Sequence, residues 1–169
     1  PAFLDDYAFL TWGLIELHQS TQKSEYVHQT MKLTEMMIDQ FWDEQEGGFF
    51  TSADDGEELL VRTKEIYDGA IPSGNSVAMA NLVRLSRLTG RTDLADRADE
   101  IATAFAHEVK RLPSAHSHLL AALQSAASYE VQGDRLTIAG ADGTELLTYK
   151  VSVPLSLTGT VWEAVGYNN

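Results

Sequence analysis

Residues 65–78 of the chain read EIYDGAIPSGNSVA and lead directly into a helical pattern. The stretch combines turn-forming residues with many hydrogen-bonding side chains, more than an ordinary linker requires. Backbone N–H groups at a helix N-terminus point outward, so this loop presents donors and acceptors at one place. We expect the loop to line a pocket at one end of a helical domain. A simpler alternative is a capped helix start, for which one polar side chain suffices.

Apolar residues recur at helical spacing on both sides of this loop. Upstream, the pattern predicts helices over residues 8–21 and 24–42. Downstream, it predicts helices over residues 76–88 and 92–111, and a last helix that opens at Ser114. Asp5 or Asp6 can cap the first helix, and Gly90 suits the position just after the third. The first 127 residues are therefore predicted to be helical.

One helix-turn-helix unit occurs twice, at an offset of 68 residues from Leu14 to Leu82. The LIEL of residues 14–17 aligns with the LVRL of residues 82–85. Repeated helical hairpins bury their apolar faces by stacking on one another. The same offset relates further pairs of positions: Thr21 with Thr89, Tyr26 with Leu94, Leu33 with Ile101 and Met37 with Phe105.

A period of this length, with a glycine-containing connection over residues 43–75, suits an α/α toroid. In such a toroid the long loops between hairpins gather at one end. Within the connection, residues 46–51 indicate a short strand, residues 54–56 a turn and residues 59–62 a return strand. The acidic residues 54–58 lack the ligand spacing of a calcium loop, so we expect a solvated turn and no metal site.

The pattern changes after residue 127, where short alternating runs are separated by turn dipeptides. Runs at residues 128–131, 135–138 and 145–149 are typical of an antiparallel β-meander. We therefore predict a mainly α fold, an incomplete α/α toroid of helical hairpins over residues 1–127. A short C-terminal antiparallel β segment follows over residues 128–169.

Composition excludes several classes of protein. The net charge of −13 argues against binding to nucleic acid or to an acidic membrane surface. The 169 residues contain no cysteine, which excludes disulfides, thiolate zinc sites and a cysteine nucleophile. No apolar run approaches the roughly 20 residues of a spanning helix, and no signal peptide is visible, so a cytoplasmic location is expected. The start at PAFLDD, without Met, predicts a fragment.

Four stretches resemble the C-terminal half of a known family, the spermatogenesis-associated, thioredoxin-domain-containing proteins. They are LDDYAFLTWGLIEL (4–17), FWDEQEGGFFTSADD (41–55), KEIYDGAIPSGNSVAMANLVRLSRLTG (64–90) and PSAHSHLLAAL (113–123). The resemblance covers about residues 1–124. It implies a six-hairpin α/α toroid, similar to N-acylglucosamine 2-epimerases and six-hairpin glycosidases. The family's thioredoxin-like domain and early barrel helices have no counterpart here, so a redox role is not supported. We expect the chain to lack the N-terminal part of a parent protein.

A different resemblance applies to the end of the chain. SYEVQGDRLTIAGADGTELLTYK (128–150) resembles the closing strands of a META domain, as in heat-shock lipoproteins. PLSLTGTVWEAVGYNN (154–169) resembles the opening strand of a second one. The toroid family does not carry such a segment there. We therefore expect residues 128–169 to differ in origin from residues 1–127, whether through gene fusion, an assembly artefact or a chimera.

The predicted function is a carbohydrate-active toroid of the epimerase or glycosidase type, with a small-molecule sugar as its partner and no cofactor. A glycosidase needs two carboxylates about 5–10 Å apart, and an epimerase needs a base such as His. The candidate catalytic residues are Asp6, Asp68 and His116. The candidate substrate-binding residues are Tyr7, Glu65, Tyr67, Ser73, Asn75 and Ser76.

Each candidate also has a purely structural explanation. Acids such as Asp5 and Asp6 in a first turn stabilise the helix dipole, and His116 or His118 can serve as a helix cap or a packed histidine. Trp12 and Phe41 are expected in the core. Two alternatives to an enzyme therefore stay open. One is a non-enzymatic helical scaffold that binds a partner, and the other is an inactive fragment or fusion.

Overall fold

A computed structural model describes residues 2–54, 62–126, 128–132, 135–139, 145–151 and 162–166. The helices are α1 (Leu4–Thr21), α2 (Ser24–Phe41), α3 (Gly74–Thr89), α4 (Thr92–Ala104), α5 (Ala106–Arg111) and α6 (Ser117–Ala126), with a 3-10 turn at Pro113–Ala115. The prediction of a mainly helical chain is confirmed. No helix in these described ranges combines the length and apolar character needed to cross a bilayer.

Helices α1, α3 and α6 lie side by side and run parallel; we call them the parallel row. Leu4 at the start of α1 lies against Gly74 at the start of α3, and Glu16 pairs with Arg84 at 2.7 Å further along the same two helices. Arg87 near the end of α3 donates to the carbonyl of Ser125 near the end of α6. The N-termini of the three helices therefore lie at the same end of the row.

Helices α2 and α4 form a second layer. Helix α2 runs antiparallel to α1, and α4 runs antiparallel to α3. Tyr7 in the first turn of α1 donates to Gln40 in the last turn of α2 at 3.1 Å. Arg91, just before α4, forms an ion pair with Glu35 of α2 at 3.3 Å, so the two helices of the second layer are neighbours. The core comprises side chains that are almost wholly buried: Leu4, Ile15, Met37, Phe41, Phe49, Met79, Leu82, Leu85, Leu94, Ile101 and Leu119.

The sequence predicts one helix over residues 92–111, but the structure divides it at Phe105. Phe105 leaves helical geometry with φ −104° and ψ 8°, and its ring packs against Gly48. A Cβ atom at position 48 would lie 2.9 Å from this ring, and Gly48 has a φ of +78°. Glycine at this position therefore allows the turn after α2 to approach the junction of α4 and α5.

The connection between the two hairpins contains isolated bridges instead of the predicted strand. Trp42 bridges Phe49, and Phe3 bridges Ser52, with no longer ladder in the described residues 43–54 and 62–73. Residues 55–61, which include most of the predicted turn and return strand, lie outside the described residues.

The C-terminal strands are β1 (Ser128–Gln132), β2 (Arg135–Ala139), β3 (Glu145–Val151) and β4 (Trp162–Gly166). They pair antiparallel in the order β1-β2-β3-β4. In the backbone register, Val131 is paired with Leu136 in the first pair of strands, Thr137 with Thr148 in the second, and Val151 with Trp162 in the third. The separate origin of residues 128–169 stays a prediction.

An ion pair between Asp43 and Lys64 fixes the turn after α2. Lys64 Nζ lies 2.6 Å from Asp43 Oδ2, and the two side chains are only 13% and 11% exposed. Lys64 also donates to the Gly47 carbonyl at 2.7 Å, and Asp43 Oδ1 accepts the Gln45 amide at 2.9 Å. The hydrogen bond from Lys64 is the main cause that lowers the pKa of the Asp43 carboxyl.

Lys64→Met is expected to destabilise the chain by about 3 kcal/mol at pH 7, because it leaves a buried carboxylate without its partner. A carboxyl with a lowered folded-state pKa contributes stability above its unfolded pKa and loses it as pH falls through the folded pKa. The difference between wild type and variant should therefore shrink in acid. Urea unfolding from pH 7 down to pH 3 measures it.

Lys23→Met is the matched control, because its pair with Glu25 is 3.7 Å long and both side chains are 61% exposed. We expect that control to cost less than about 0.5 kcal/mol. Equal losses in the two variants would show that the Asp43–Lys64 pair has no special role.

Candidate functional site

The carboxylate of Asp68 joins the starts of α3 and α6. Its Oδ1 accepts the Ser73 amide at 3.0 Å, and its Oδ2 accepts the amides of His118 and Leu119 at 2.7 and 3.1 Å. The Asp68 amide donates to the Ala115 carbonyl at 2.8 Å. Both carboxylate oxygens are therefore engaged by backbone donors, in a residue that is 9% exposed. This arrangement stabilises the positive end of a helix, as an N-terminal carboxylate does.

Three further polar residues of the loop, Ser73, Asn75 and Ser76, are buried and hydrogen-bonded as well. Asn75 accepts the Phe49 amide at 2.8 Å and donates to the carbonyls of Phe49 and Glu65 at 2.9 and 3.0 Å. Ser73 Oγ accepts the Ser76 amide at 3.2 Å and donates to Ser76 Oγ at 2.8 Å. The simpler alternative of a capped helix start therefore accounts for the two serines. Asn75 connects that helix start to the turn that follows α2.

His116 is buried beneath the same loop. Its Nδ1 lies 2.9 Å from the Ile66 carbonyl oxygen, which can only accept, so Nδ1 carries a proton. The His116 amide donates to the Pro113 carbonyl at 3.1 Å. The ring is therefore anchored at Nδ1, and Nε2 is the atom left for proton exchange.

The two acids at the start of α1 have different surroundings. Asp6 Oδ2 accepts the Phe3 amide at 2.8 Å and so closes the first turn of its own helix. Asp5 lies against α3, because a Cβ atom at Gly74 would come within 2.3 Å of Asp5 Oδ1. Of the two acids, Asp5 is the one that adjoins the loop. The absence of a side chain at Gly74 makes this approach possible.

Partial burial is the largest cause that raises the pKa of the Asp5 carboxyl above its usual value. The neighbouring Asp6 and Glu65 carboxylates also raise it, whereas a hydrogen bond from the Gly74 amide lowers it. Asp5 thus lies near Glu65 at the N-terminal end of the parallel row. A carboxyl with a raised pKa is a better proton donor near neutral pH.

The two aromatic candidates, Tyr67 and Tyr7, lie in different parts of the structure. Tyr67 is 61% exposed beside Glu65, whose Oε1 accepts the Tyr67 amide at 2.7 Å. Tyr7 is directed to the second layer, where its ring packs on Phe41 at 5.4 Å between centroids. Glu65 therefore lies beside Tyr67 and near Asp5, whereas Tyr7 lies outside this group.

A cluster that sequence reasoning missed lies on one side of the parallel row. The rings of Trp12 on α1 and His118 on α6 are 5.2 Å apart, although α3 lies between these helices in the row. Trp12 and His118 therefore meet across α3 on one side of the row, and we infer that the row curves so that this side is concave. Trp12 packs partly against the core, as predicted, and its ring also lies 6.1 Å from that of Phe9.

A fixed carboxylate lies beside the Trp12 ring. Glu16 Oε1 accepts the Trp12 Nε1 hydrogen at 3.0 Å and lies 2.7 Å from an Arg84 guanidinium nitrogen. The hydrogen bond from Arg84 is the main cause that lowers the pKa of the Glu16 carboxyl. Glu16 is 53% and Arg84 24% exposed, so both can reach a ligand. We call Trp12, Glu16, Arg84 and His118 the concave cluster.

A groove of about 940 Å³ lies outside both groups, between the end of α2 and the start of α4. None of the predicted site residues lines it. Its three arginines are already engaged by acidic side chains: Arg62 by Asp54, Arg91 by Asp93 and Glu35, and Arg97 by Glu44. Across the described ranges, no group of histidine and acidic residues has the arrangement of a metal site.

Known proteins resemble most of the chain. No family model matches it. Rat spermatogenesis-associated protein 20 is 40% identical over 124 residues, which are 73% of this chain. The human protein of that name is 38% identical over 138 residues, 79% of this chain, and an uncharacterised Caenorhabditis elegans protein is 29% identical over 147 residues, 87% of this chain.

This similarity supports the spermatogenesis-associated protein family. The chain spans only 16% of the length of the rat spermatogenesis-associated protein 20, 18% of the human protein and 20% of the nematode protein. The names of these relatives state neither a substrate nor a reaction.

Asp5→Asn is expected to stabilise the chain at pH 7, because ionised Asp5 costs the folded state free energy. A carboxyl with a raised folded-state pKa binds a proton more tightly when folded, so stability falls as pH rises from the unfolded pKa through the folded one. The gain from Asn should therefore vanish below the ordinary pKa of 3.8. Thermal unfolding at pH 3 and pH 7 measures it.

Asp6→Asn is the paired control, because it weakens the bond to the Phe3 amide and should destabilise by about 0.5–1 kcal/mol. If Asp5→Asn were as destabilising as Asp6→Asn at pH 7, the inference that ionised Asp5 costs the folded state free energy would be wrong.

Proposed function

We propose that the parallel row contributes one wall of a carbohydrate-binding site in an α/α toroid. The observation that carries the proposal is the concave cluster. A partly exposed Trp12 ring offers a flat apolar face to the C–H groups of a sugar. Glu16 and Arg84, held in place beside the ring, offer an acceptor and several donors to the hydroxyls.

The layout of the helices supports the toroid. Parallel helices lie in one layer, their antiparallel mates lie in a second layer, and the hairpin recurs at an offset of 68 residues. Curvature of the row toward the Trp12–His118 contact is what a closing ring requires. The connection from α2 enters α3 at the end where the N-termini of the row gather.

For a reaction of the glycosidase type, Asp5 is the proton donor and Glu65 is the second carboxylate. Asp5 takes this role in place of Asp6 and Asp68, because Asp6 closes its own helix and Asp68 is occupied by three amides. For a reaction of the epimerase type, a histidine supplies the base, and Nε2 of His116 is the available atom.

A second candidate function is a binding module without turnover. The observation that favours it is the engagement of Ser73, Asn75 and Ser76, together with Asp68, in hydrogen bonds that hold the fold. Such a module would use the concave cluster for recognition and would need no acid at the loop.

Titration of amino sugars and disaccharides into the chain and into the full-length human relative tests the proposal by calorimetry and tryptophan fluorescence. Trp12→Ala should weaken sugar binding by the chain at least about tenfold, a loss of about 1.4 kcal/mol, and Glu16→Gln should weaken it by a smaller factor. His28→Ala, on an exposed position of α2, is the control and should change nothing.

Binding accompanied by a new product would support the enzyme, and binding without turnover would support the module. Absence of sugar binding in both proteins, or binding that Trp12→Ala leaves unchanged, would contradict the proposal.

A further inference from the structure

One face of α1 carries a stripe of acidic and aromatic side chains that links the two parts of the proposed sugar site. Asp5, Phe9, Trp12 and Glu16 follow one another at spacings of four, three and four residues, which places them on the same face of the helix. We propose that this stripe, the α1 track, binds an amino-sugar oligosaccharide that carries free ammonium groups. The inference rests on the proposed carbohydrate function and names the charge and the length of its ligand.

The α1 track lies beside the buried face of its own helix. Buried residues of α1 recur one position before each member of the track, at Leu4, Ala8, Thr11 and Ile15. In the track itself, Asp5 is exposed, Phe9 and Trp12 are half-buried, and Glu16 is 53% exposed. The core therefore holds one side of the helix, and the track stays accessible along its length.

The length of the track favours a ligand of more than one sugar ring. Asp5 and Glu16 are eleven residues apart, so the track extends about 16 Å along the helix axis. The rings of Phe9 and Trp12 have centroids 6.1 Å apart and planes inclined by 33°, so they form one apolar surface. A sugar chain that packs its C–H faces on this surface reaches Asp5 at the loop.

Negative charge at the Asp5 end of the track has no cationic partner. Among the described residues, Asp5, Asp6 and Glu65 form no ion pair with lysine or arginine. The basic residues just before Glu65, Arg62 and Lys64, are engaged by other acids. Burial is the main cause that raises the pKa of the Asp5 carboxyl, and the two neighbouring carboxylates raise it further. An ammonium group placed here would stabilise the ionised carboxylates.

The other end of the track also suits a cation. The face of an indole ring attracts an ammonium group through its quadrupole, and Trp12 offers such a face. Glu16 stays ionised, because the hydrogen bond from Arg84 is the main cause that lowers the pKa of its carboxyl. Arg84 lies 2.7 Å from Glu16, which balances its positive charge. Because acetylation removes the charge of an amino sugar, the track should prefer the unacetylated form.

A lysine-rich peptide is the other source of ammonium groups. Its charges sit on flexible side chains, and it has no rigid apolar face to cover two adjacent rings. The pairing of Phe9 with Trp12 between two acids therefore favours a sugar over a peptide.

Three disaccharides of one linkage and different charge test the inference: the glucosamine disaccharide, its N-acetylated form and cellobiose. At pH 6, where the sugar amine is protonated, this chain should bind the first at least about tenfold more tightly than the other two, by calorimetry and tryptophan fluorescence. Asp5→Asn should reduce that preference to about threefold or less, since it removes a carboxylate and keeps the size of the side chain. Because this variant is expected to stabilise the chain, unfolding would not explain the loss.

Glu25→Gln is the matched control, because it removes an exposed carboxylate on α2 and should leave all three affinities unchanged. Equal affinity for the three sugars, lost in Trp12→Ala, would overturn this inference and leave the carbohydrate function standing. A preference that survives Asp5→Asn would overturn the assignment to the α1 track. Displacement of the glucosamine disaccharide by an equal concentration of trilysine would also overturn it, because charge alone would then be recognised. Absence of binding by all three sugars would contradict the carbohydrate function itself.

Discussion

The carboxylate of Asp68 is the contact on which the arrangement of the parallel row depends. One oxygen accepts an amide at the start of α3, and the other accepts two amides at the start of α6. A buried carboxylate is stable only when hydrogen bonds replace its lost water, and three backbone donors do so here. The positive ends of two parallel helices are thereby held beside one negative charge.

The curvature of the row follows from this junction. Because α6 starts where Asp68 fixes it, His118 comes within ring contact of Trp12 from the far side of α3. The concave cluster therefore depends on a residue that lies outside it. Gly74 makes a similar contribution at the other junction, since the absence of a side chain there lets Asp5 and Leu4 approach the start of α3. The loop thus organises two neighbouring groups of side chains, the acids at the end of the row and the cluster on its concave side.

Local signals in the sequence predicted the helices well, because helical periodicity and capping are decided within a few residues. A capped helix start was the simpler alternative for the loop, and Ser73 is the cap that the structure shows. The break at Phe105 was missed, since it depends on Gly48 far away in sequence. The approach of Asp5 to Gly74 could not be predicted, because it depends on the position of α3. The contact of Trp12 with His118 joins residues more than a hundred positions apart. The catalytic roles of Asp6, Asp68 and His116 stay predictions.

Asp68→Asn tests most directly whether this carboxylate holds the row together. The variant keeps the size of the side chain but removes the charge and puts an amide donor in place of one acceptor oxygen. We predict a loss of about 3 kcal/mol in the free energy of unfolding, with faster hydrogen exchange at the amides of His118 and Leu119. Unchanged stability and unchanged exchange at these two amides would contradict the account.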